Sequence, residues 1–358
     1  MVLHILQNEK PSRGVIGDCR DYCPAEEHPF IVFGGPYSYT FDDFQNVDIF
    51  RVDLRDTLRL IRRMKRADSI RFHGLFSFVL ICILAFDRLI GAKATWDIYG
   101  DDLYCLTKPK KKLSNRLHLW VRRKAYSNLR RICTNVRGDY ELACKLLNKR
   151  FEYGMHRYSP SYVSGIRPYL EYSCPHDGLN ILIGNSATAS NHHREALAAL
   201  EKYKNEEIRV YVPLSYGDKA YAGEITEYGK GLFGEKFVPM TDFMPKDDYF
   251  RFLMSIDVAV FANDRQQAMG NIVALLLAGK KLYMRDDTTM WESLHDDYNI
   301  RISRYSELAT ASFDELKRVD FSPEAQKKAV EEMTDGELFR QSYVQEMSES
   351  QRIIRRNG

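Results

Sequence analysis

"NILIGNSATASNHH", residues 180–193, reads as a buried strand, Asn180–Ile183, that stops at Gly184 and gives way to helix-forming sequence from about Asn191. A short apolar run, a polar turn and a helix make the unit from which parallel sheets are built. The turn offers Gly184, Asn185, Ser186 and Thr188, without the G-x-G-x-x-G spacing of a dinucleotide fold and without a Walker lysine. A helix N-terminus behind such a turn presents unpaired N–H groups and about half a positive charge, which suits a phosphate. An ordinary strand-to-helix connection capped by Ser190 or Asn191 uses the same residue types.

The same unit recurs further on. "VAVFANDRQQAMGNIVALLLAGKKLYM", residues 258–284, is strand, polar turn, helix, glycine stop and strand, with Arg265, Gln266, Gln267, Gly270 and Asn271 where the helix begins. An arginine at a helix N-terminus has the wrong sign for the helix dipole, so an anion held by both is the better explanation. A third turn, "VYVPLSYGDKAY" at 210–221, carries Ser215, Tyr216 and Tyr221, which could hold a base or a sugar. Three polar turns at strand ends within one stretch describe a nucleotide-diphosphate site.

Apolar strands alternating with helices run through both halves. Strands are expected at Leu3–Leu6, Phe30–Phe33, Ser69–Phe72, Ala94–Tyr99 and Arg131–Thr134. A second set is expected at Asn180–Ile183, Arg209–Val212, Lys236–Pro239, Val258–Phe261 and Lys281–Met284. The chain has 358 residues, too many for one comfortable core. The proline-rich stretch 159–178 breaks the alternation. The expected architecture is α/β: two doubly wound, Rossmann-like domains facing a cleft, residues 1–165 and 175–325, followed by C-terminal helices at 326–358 that cross back to the first.

Candidate chemistry in the first half sits at two strand ends. "RFHGLFSF" (71–78) carries His73, and "TWDIYGDDLYC" (95–105) carries Asp97 and Asp102. A carboxylate or histidine there could deprotonate an acceptor hydroxyl, and Asp102 is the first choice, with Asp97 and His73 behind it. Turn formation and helix capping are the alternative uses of these acids.

Composition narrows the class. At 44% apolar and 28% charged the chain has a soluble globular composition, and a net charge of +3 is too small to argue for nucleic acid by itself. Seven cysteines, Cys19 and Cys23 among them, show no pair-of-pairs spacing for zinc and read as reduced thiols, so no metal site is expected. No secretory signal is evident, and the apolar run Leu75–Phe86 is too short for a bilayer span. Between Lys108 and Arg131 stand ten Lys/Arg and no acid, interleaved with Leu113, Leu117, Leu119, Trp120, Val121 and Tyr126. Such a helix can lie on an anionic leaflet through Lys110, Lys111, Lys112, Arg116, Trp120, Arg122 and Arg123. Nucleic acid and a merely solvated face are the rival readings.

The segments "FHGLFS", "WDIYGDDLY", "RGDY" (137–140), "ILIGNSATASNHH", "VPLSYG" and "FANDRQQAMGNIVALLLAG" resemble, in order over residues 70–300, the bacterial N-acetylfucosaminyl transferases of common-antigen synthesis, glycosyltransferase family 56. The resemblance implies a GT-B glycosyltransferase whose second domain binds a dTDP- or UDP-sugar. It implies a polyprenyl-diphosphate-linked saccharide as acceptor, in common-antigen, O-antigen or capsule synthesis at the cytoplasmic face of the membrane. No cofactor or metal is expected, because donors fixed on the leaving diphosphate can replace one. A sugar-nucleotide binding module would show neither transfer nor donor hydrolysis, and a GT-B-shaped epimerase would yield product without an acceptor.

Overall fold

The computed structural model describes the chain except residues 10, 35–38, 52, 108–111, 173 and 356–358. By internal packing it divides into two units: Met1–Ser159 with the helix Gly336–Arg355, and Pro160–Asp335. The division falls at Pro160, ahead of the gap left between residues 165 and 175 by the sequence reading. The return to the first unit begins at Gly336 rather than 326, because the helix Pro323–Met333 packs on the helix Met269–Leu277 of the second unit.

The first unit holds seven parallel strands: β1 (Val2–Gln7), β2 (Phe30–Phe33), β3 (Val47–Phe50), β4 (Ser69–His73), β5 (Ala94–Asp97), β6 (Arg131–Cys133) and β7 (Glu152–Gly154), in the order β3-β2-β1-β4-β5-β6-β7. Their register sets Phe72 beside Trp96 and His73 beside Asp97. Alternation then gives the sheet two unlike faces. Leu3, Ile5, Ile70, Phe72, Ala94, Trp96 and Ile132 belong to an apolar core shared with the helices Leu54–Arg66, Phe78–Phe86 and Leu113–Asn128. The opposite face carries His4, Arg71, His73, Asp97 and Arg131, all buried. Near it Phe339, Tyr343 and Met347 of the last helix pack with Ile16 and Cys19 of the helix Ser12–Tyr22. Glu346 pins the last helix, accepting from Arg71 Nη1 at 3.2 Å and from Arg131 Nη2 at 2.7 Å.

The second unit repeats the plan with β8 (Leu179–Ile183), β9 (Ile208–Pro213), β10 (Phe237–Met240), β11 (Val258–Phe261), β12 (Lys281–Met284) and β13 (Ser303–Arg304), all parallel, in the order β10-β9-β8-β11-β12-β13. β8, β11 and β12 are buried along their whole length, as strands covered on both faces must be. The sequence reading missed β3, β7 and β13 and the helix Ser12–Tyr22. In each sheet the chain runs outward in both directions from a central pair, β1/β4 and β8/β11. Ligands of doubly wound sheets bind beyond the strand ends at that switch point.

Candidate functional site

In the second unit the switch point brings the loops after β8 and β11 together. Gln267 Nε2 donates to Asn185 Oδ1 at 2.7 Å, and Gln267 Oε1 accepts from Ser190 Oγ at 2.7 Å. Asn185 Nδ2 in turn donates to Tyr216 OH at 2.8 Å, which joins the loop after β9. Asn191 Nδ2 donates to the Ser186 carbonyl at 2.8 Å and to Thr188 Oγ1 at 2.9 Å, fixing the turn from within. Four of the sequence candidates, Asn185, Ser186, Tyr216 and Gln267, therefore share one network.

Gly184 has φ +64°, and a Cβ there would stand 2.7 Å from His193 Nε2 and 2.8 Å from Asn191 Oδ1, so glycine is required on both counts. Those two atoms are buried and without a hydrogen-bond partner, as are Asn263 Oδ1 and Gln266 Oε1 on the facing loop. Buried polar atoms are normally satisfied, so such a set around two loops points to a ligand. Both helices that follow these loops are entered through a left-handed non-glycine residue: His192 (φ 50°) before His193–Leu200 and Ala268 (φ 62°) before Met269–Leu277. Backbone held in that region is strained and collects at binding sites.

Arg265 is half-buried in the loop just ahead of the helix, with Nη1 donating to the Gln266 carbonyl at 3.3 Å. Gly270 is exposed in the first turn, with open space where a Cβ would be. Asn271 Nδ2 donates to the hydroxyl of Tyr249 at 2.7 Å; burial, and then Tyr216 beside it, push that phenol well above its ordinary pKa. Tyr221 OH meets His193 Nδ1 at 3.2 Å. Burial holds His193 down to about 4, so its ring is neutral at pH 7. Ser215 is exposed beyond β9 and stays outside the network. Tyr249 and His193 escaped the sequence reading: one lies on a helix far from the turns, and the other read as part of a helix start.

In the first unit His73 and Asp97 do meet, Nδ1 to Oδ2 at 2.8 Å. Arg71 Nε donates to the same oxygen at 2.8 Å. Burial alone would raise the Asp97 carboxyl, but Arg71 and His73 outweigh it and hold it at about 2. Asp102 is elsewhere, 1% exposed, and accepts from Trp96 Nε1 at 2.6 Å and from the amides of Leu75 and Tyr99 at 3.1 Å each. That occupancy makes it a buried acceptor tying the loops after β4 and β5 to the Trp96 side chain on β5, and leaves it little room to reach an incoming hydroxyl. Glu9, unremarked in the sequence, stands two residues beyond β1 at the switch point and is partly exposed. Burial, and then the nearby Asp102, raise its carboxyl.

The basic helix is the segment Leu113–Asn128. Lys110 and Lys111 lie outside the described residues. Leu113, Leu117 and Trp120 are exposed at helical spacing, and Phe86 and Leu89 are exposed on the neighbouring segment. Lys112 and Arg116 are exposed as well. Lys124 Nζ lies 4.4 Å from the Phe86 ring centroid and 5.5 Å from that of Trp120, joining the two apolar strips. Arg122 departs from the expectation: its Nη1 donates to the Leu75 carbonyl at 2.8 Å and to Tyr126 OH at 2.7 Å, so it fixes the loop after β4. Arg123 is exposed but bonded to the Leu146 carbonyl at 2.9 Å. Among the described residues no helix is long and apolar enough to cross a membrane. A cavity of about 680 Å³ in the second unit, lined by Tyr298, Arg301, Asp320, Gln326 and Glu332 among others, shares no residue with the strand-end network.

Residues 24–322 match the family described as 4-alpha-L-fucosyltransferase, glycosyl transferase group 56. The chain belongs to glycosyl transferase group 56. It is therefore a glycosyltransferase, in keeping with the resemblance seen in its strand-end motifs. Its fold is that of GT-B transferases. HepE of Anabaena, solved with UDP and glucose, superposes with a TM-score of 0.70 at 10% identity over 98% of this chain and 100% of that one. The alpha,alpha-trehalose 6-phosphate synthase of Burkholderia multivorans gives 0.62 at 9% identity over 98% of each chain. An E. coli trehalose-6-phosphate protein bound with UDP-2-fluoroglucose gives 0.62 at 12% identity over 98% of this chain and 99% of that one.

Proposed function

We propose that this group 56 transferase moves a sugar from a dTDP- or UDP-sugar to a polyprenyl-diphosphate-linked saccharide, in bacterial surface polysaccharide synthesis, without a catalytic metal. The observation that carries the donor half is the network joining Asn185, Tyr216 and Gln267 across the switch point of the second unit. Around it lie four unpartnered buried polar atoms and the first turn of the helix Met269–Leu277. In this reading the donor diphosphate lies on the turn Gly184–Ser186 and the start of that helix, with Arg265 and Gln266 as donors. Tyr216, Tyr221, Ser215 and Asn271 serve the base and sugar. UDP and a UDP-sugar analogue in two structures of like fold support a nucleoside diphosphate there.

As the diphosphate leaves it gains negative charge, and N–H and guanidinium groups fixed beforehand are the protein's means of stabilising it. The acceptor base is carried by the first unit. Asp97, held at about 2, is too weakly basic for the task, while Glu9 combines a raised carboxyl, partial exposure and a switch-point position. Glu9 is accordingly the proposed base.

The exposed strip of Leu113, Leu117, Trp120, Phe86 and Leu89, edged by Lys112 and Arg116, supports docking on the anionic inner leaflet, where a polyprenyl acceptor resides. Transfer of radiolabelled sugar from dTDP- and UDP-sugars to a polyprenyl-diphosphate saccharide in magnesium-free buffer tests the reading. Product without acceptor would favour an epimerase, and neither transfer nor donor hydrolysis would leave a binding module.

A further inference from the structure

The polar face of the first unit's sheet holds a cluster that the transfer reaction does not use. His4 lies on β1 and is fully buried, Cys19 lies on the helix Ser12–Tyr22, Cys23 caps that helix, and His28 stands just ahead of β2. His4 Nε2 is 2.9 Å from His28 Nδ1 and 4.0 Å from Cys19 Sγ, and one ligand atom from each of the three lies within 4.8 Å of the others. Cys23 stands one helical turn beyond Cys19, its amide donating to the Cys19 carbonyl at 2.8 Å. Cys19, Cys23 and His28, with Phe30, Asp43 and Asn46, line a cavity of about 290 Å³ that gives an ion a way in.

We infer that His4, Cys19, Cys23 and His28 form a binding site for one zinc-class divalent ion. Two imidazoles and two thiols are the donor set of structural zinc, at about 2.0–2.1 Å for nitrogen and 2.3 Å for sulfur. At tetrahedral angles those bonds place the nitrogens about 3.3 Å apart and nitrogen from sulfur about 3.5 Å. The His4–His28 and His4–Cys19 separations reach these values with movements of about half an ångström. The linear spacing hides the site, since one ligand comes from a strand fifteen residues before the first cysteine.

The partners of His4 are arranged as those of a metal ligand. Asp97, beside the Arg71 guanidinium, is a carboxylate and can only accept. In the neutral ring His73 Nδ1 carries the proton it shares with Asp97, and His73 Nε2 keeps a lone pair. With that tautomer His4 Nδ1, at 2.9 Å, donates to the lone pair. The His4 Nε2 lone pair is thus fixed and aimed at Cys19 and His28. A ligating histidine usually gives its other N–H to a carboxylate, carbonyl or water, and here His73, anchored on Asp97, takes that place. The same atoms can instead make a simple file of hydrogen-bonded histidines, in which His28 Nδ1–H fills that lone pair.

The full chain, purified without chelator from zinc-supplemented medium, separates the two by elemental analysis. Cobalt(II) titration of the stripped protein then adds a spectrum. About one zinc per chain and a thiolate-to-cobalt charge-transfer band are expected, with affinity falling roughly ten- to hundredfold or more in Cys19→Ser and His28→Gln and unchanged in Cys82→Ser. Zinc well below one equivalent, a cobalt spectrum without a thiolate band, or an undiminished band in Cys19→Ser would overturn the site. Should either ligand variant fail to fold, the stoichiometry and spectrum of the unsubstituted chain still decide.

Discussion

Gln267→Glu is the substitution that best separates the donor site's charge from its architecture. Gln267 accepts a hydrogen bond from Ser190 Oγ through Oε1 and donates one to Asn185 Oδ1 through Nε2. In the glutamate variant the first bond survives, and the second becomes two oxygens facing each other. Asn185 can answer by turning its amide. Its Nδ2 then donates to the introduced carboxylate, and its Oδ1 accepts from the Tyr216 hydroxyl, which can reverse its role. The rewired network keeps its bond count, so the melting transition should move by no more than about 1 kcal/mol. The new charge is different in kind. At an effective dielectric of about 20, a carboxylate about 5–6 Å from one phosphate charge is repelled by about 3 kcal/mol. Half-exposure and salt reduce this to about 1.5–3 kcal/mol, a ten- to hundredfold loss. Calorimetric titration with UDP or dTDP should show that loss, and it should shrink as salt rises. The nucleosides uridine and thymidine should bind as before. Undiminished diphosphate affinity, or an equal loss for the nucleoside, would refute the reasoning.

Asp102→Asn should lower the stability of the first unit by about 1–3 kcal/mol, because an amide cannot accept from all three N–H groups, while nucleotide binding is kept; denaturant melts and titration check both. Glu9→Gln should instead leave the melt unchanged and slow transfer by about two to four powers of ten; normal transfer would remove Glu9 from the mechanism. His193, held down to about 4 by burial, takes up a proton in the unfolded chain from about pH 6.5 downward but not in the folded one, so stability should rise with pH between about 4 and 6.5. This contribution amounts to about 3 kcal/mol, and melts of His193→Gln should lose that part of the slope. Replacing Leu117 and Trp120 by serine and Lys112 and Arg116 by glutamate should release the protein from anionic vesicles in flotation assays, each cation contributing about 1 kcal/mol; retained, salt-insensitive binding would exclude this face.

Much of this was legible in the sequence because the interior strands carry it. β8, β11 and β12 are buried on both faces and so read as continuous apolar runs between turn residues. β3, β7 and β13 escaped because each is an edge strand, the last of two residues, and β3 alternates too little to announce a face. The helix Ser12–Tyr22 buries only Ser12, Ile16 and Cys19, too thin a stripe to mark it. The polar turns at 184–188, 215–217 and 263–268 were readable as strand-to-helix connections, and the structure adds the bonds among Asn185, Tyr216 and Gln267. The acceptor side was not. Asp102 and Glu9 are both acids near strand ends, and only the fold shows that the first is buried with three donors while the second is partly exposed. Arg122 likewise belongs to a basic run in sequence and to a loop clamp in space.

The central claim, that the second unit's strand ends hold a nucleoside diphosphate without metal, is tested most directly by titrating UDP and dTDP into the chain and its Arg265→Ala variant, in buffer free of magnesium and manganese. The account predicts saturable binding of at least one diphosphate, weakened roughly ten- to hundredfold by the substitution through loss of a charge-assisted bond, with nucleoside binding unaltered. Binding that requires added magnesium, or equal affinity of the two proteins for the diphosphate, would contradict it.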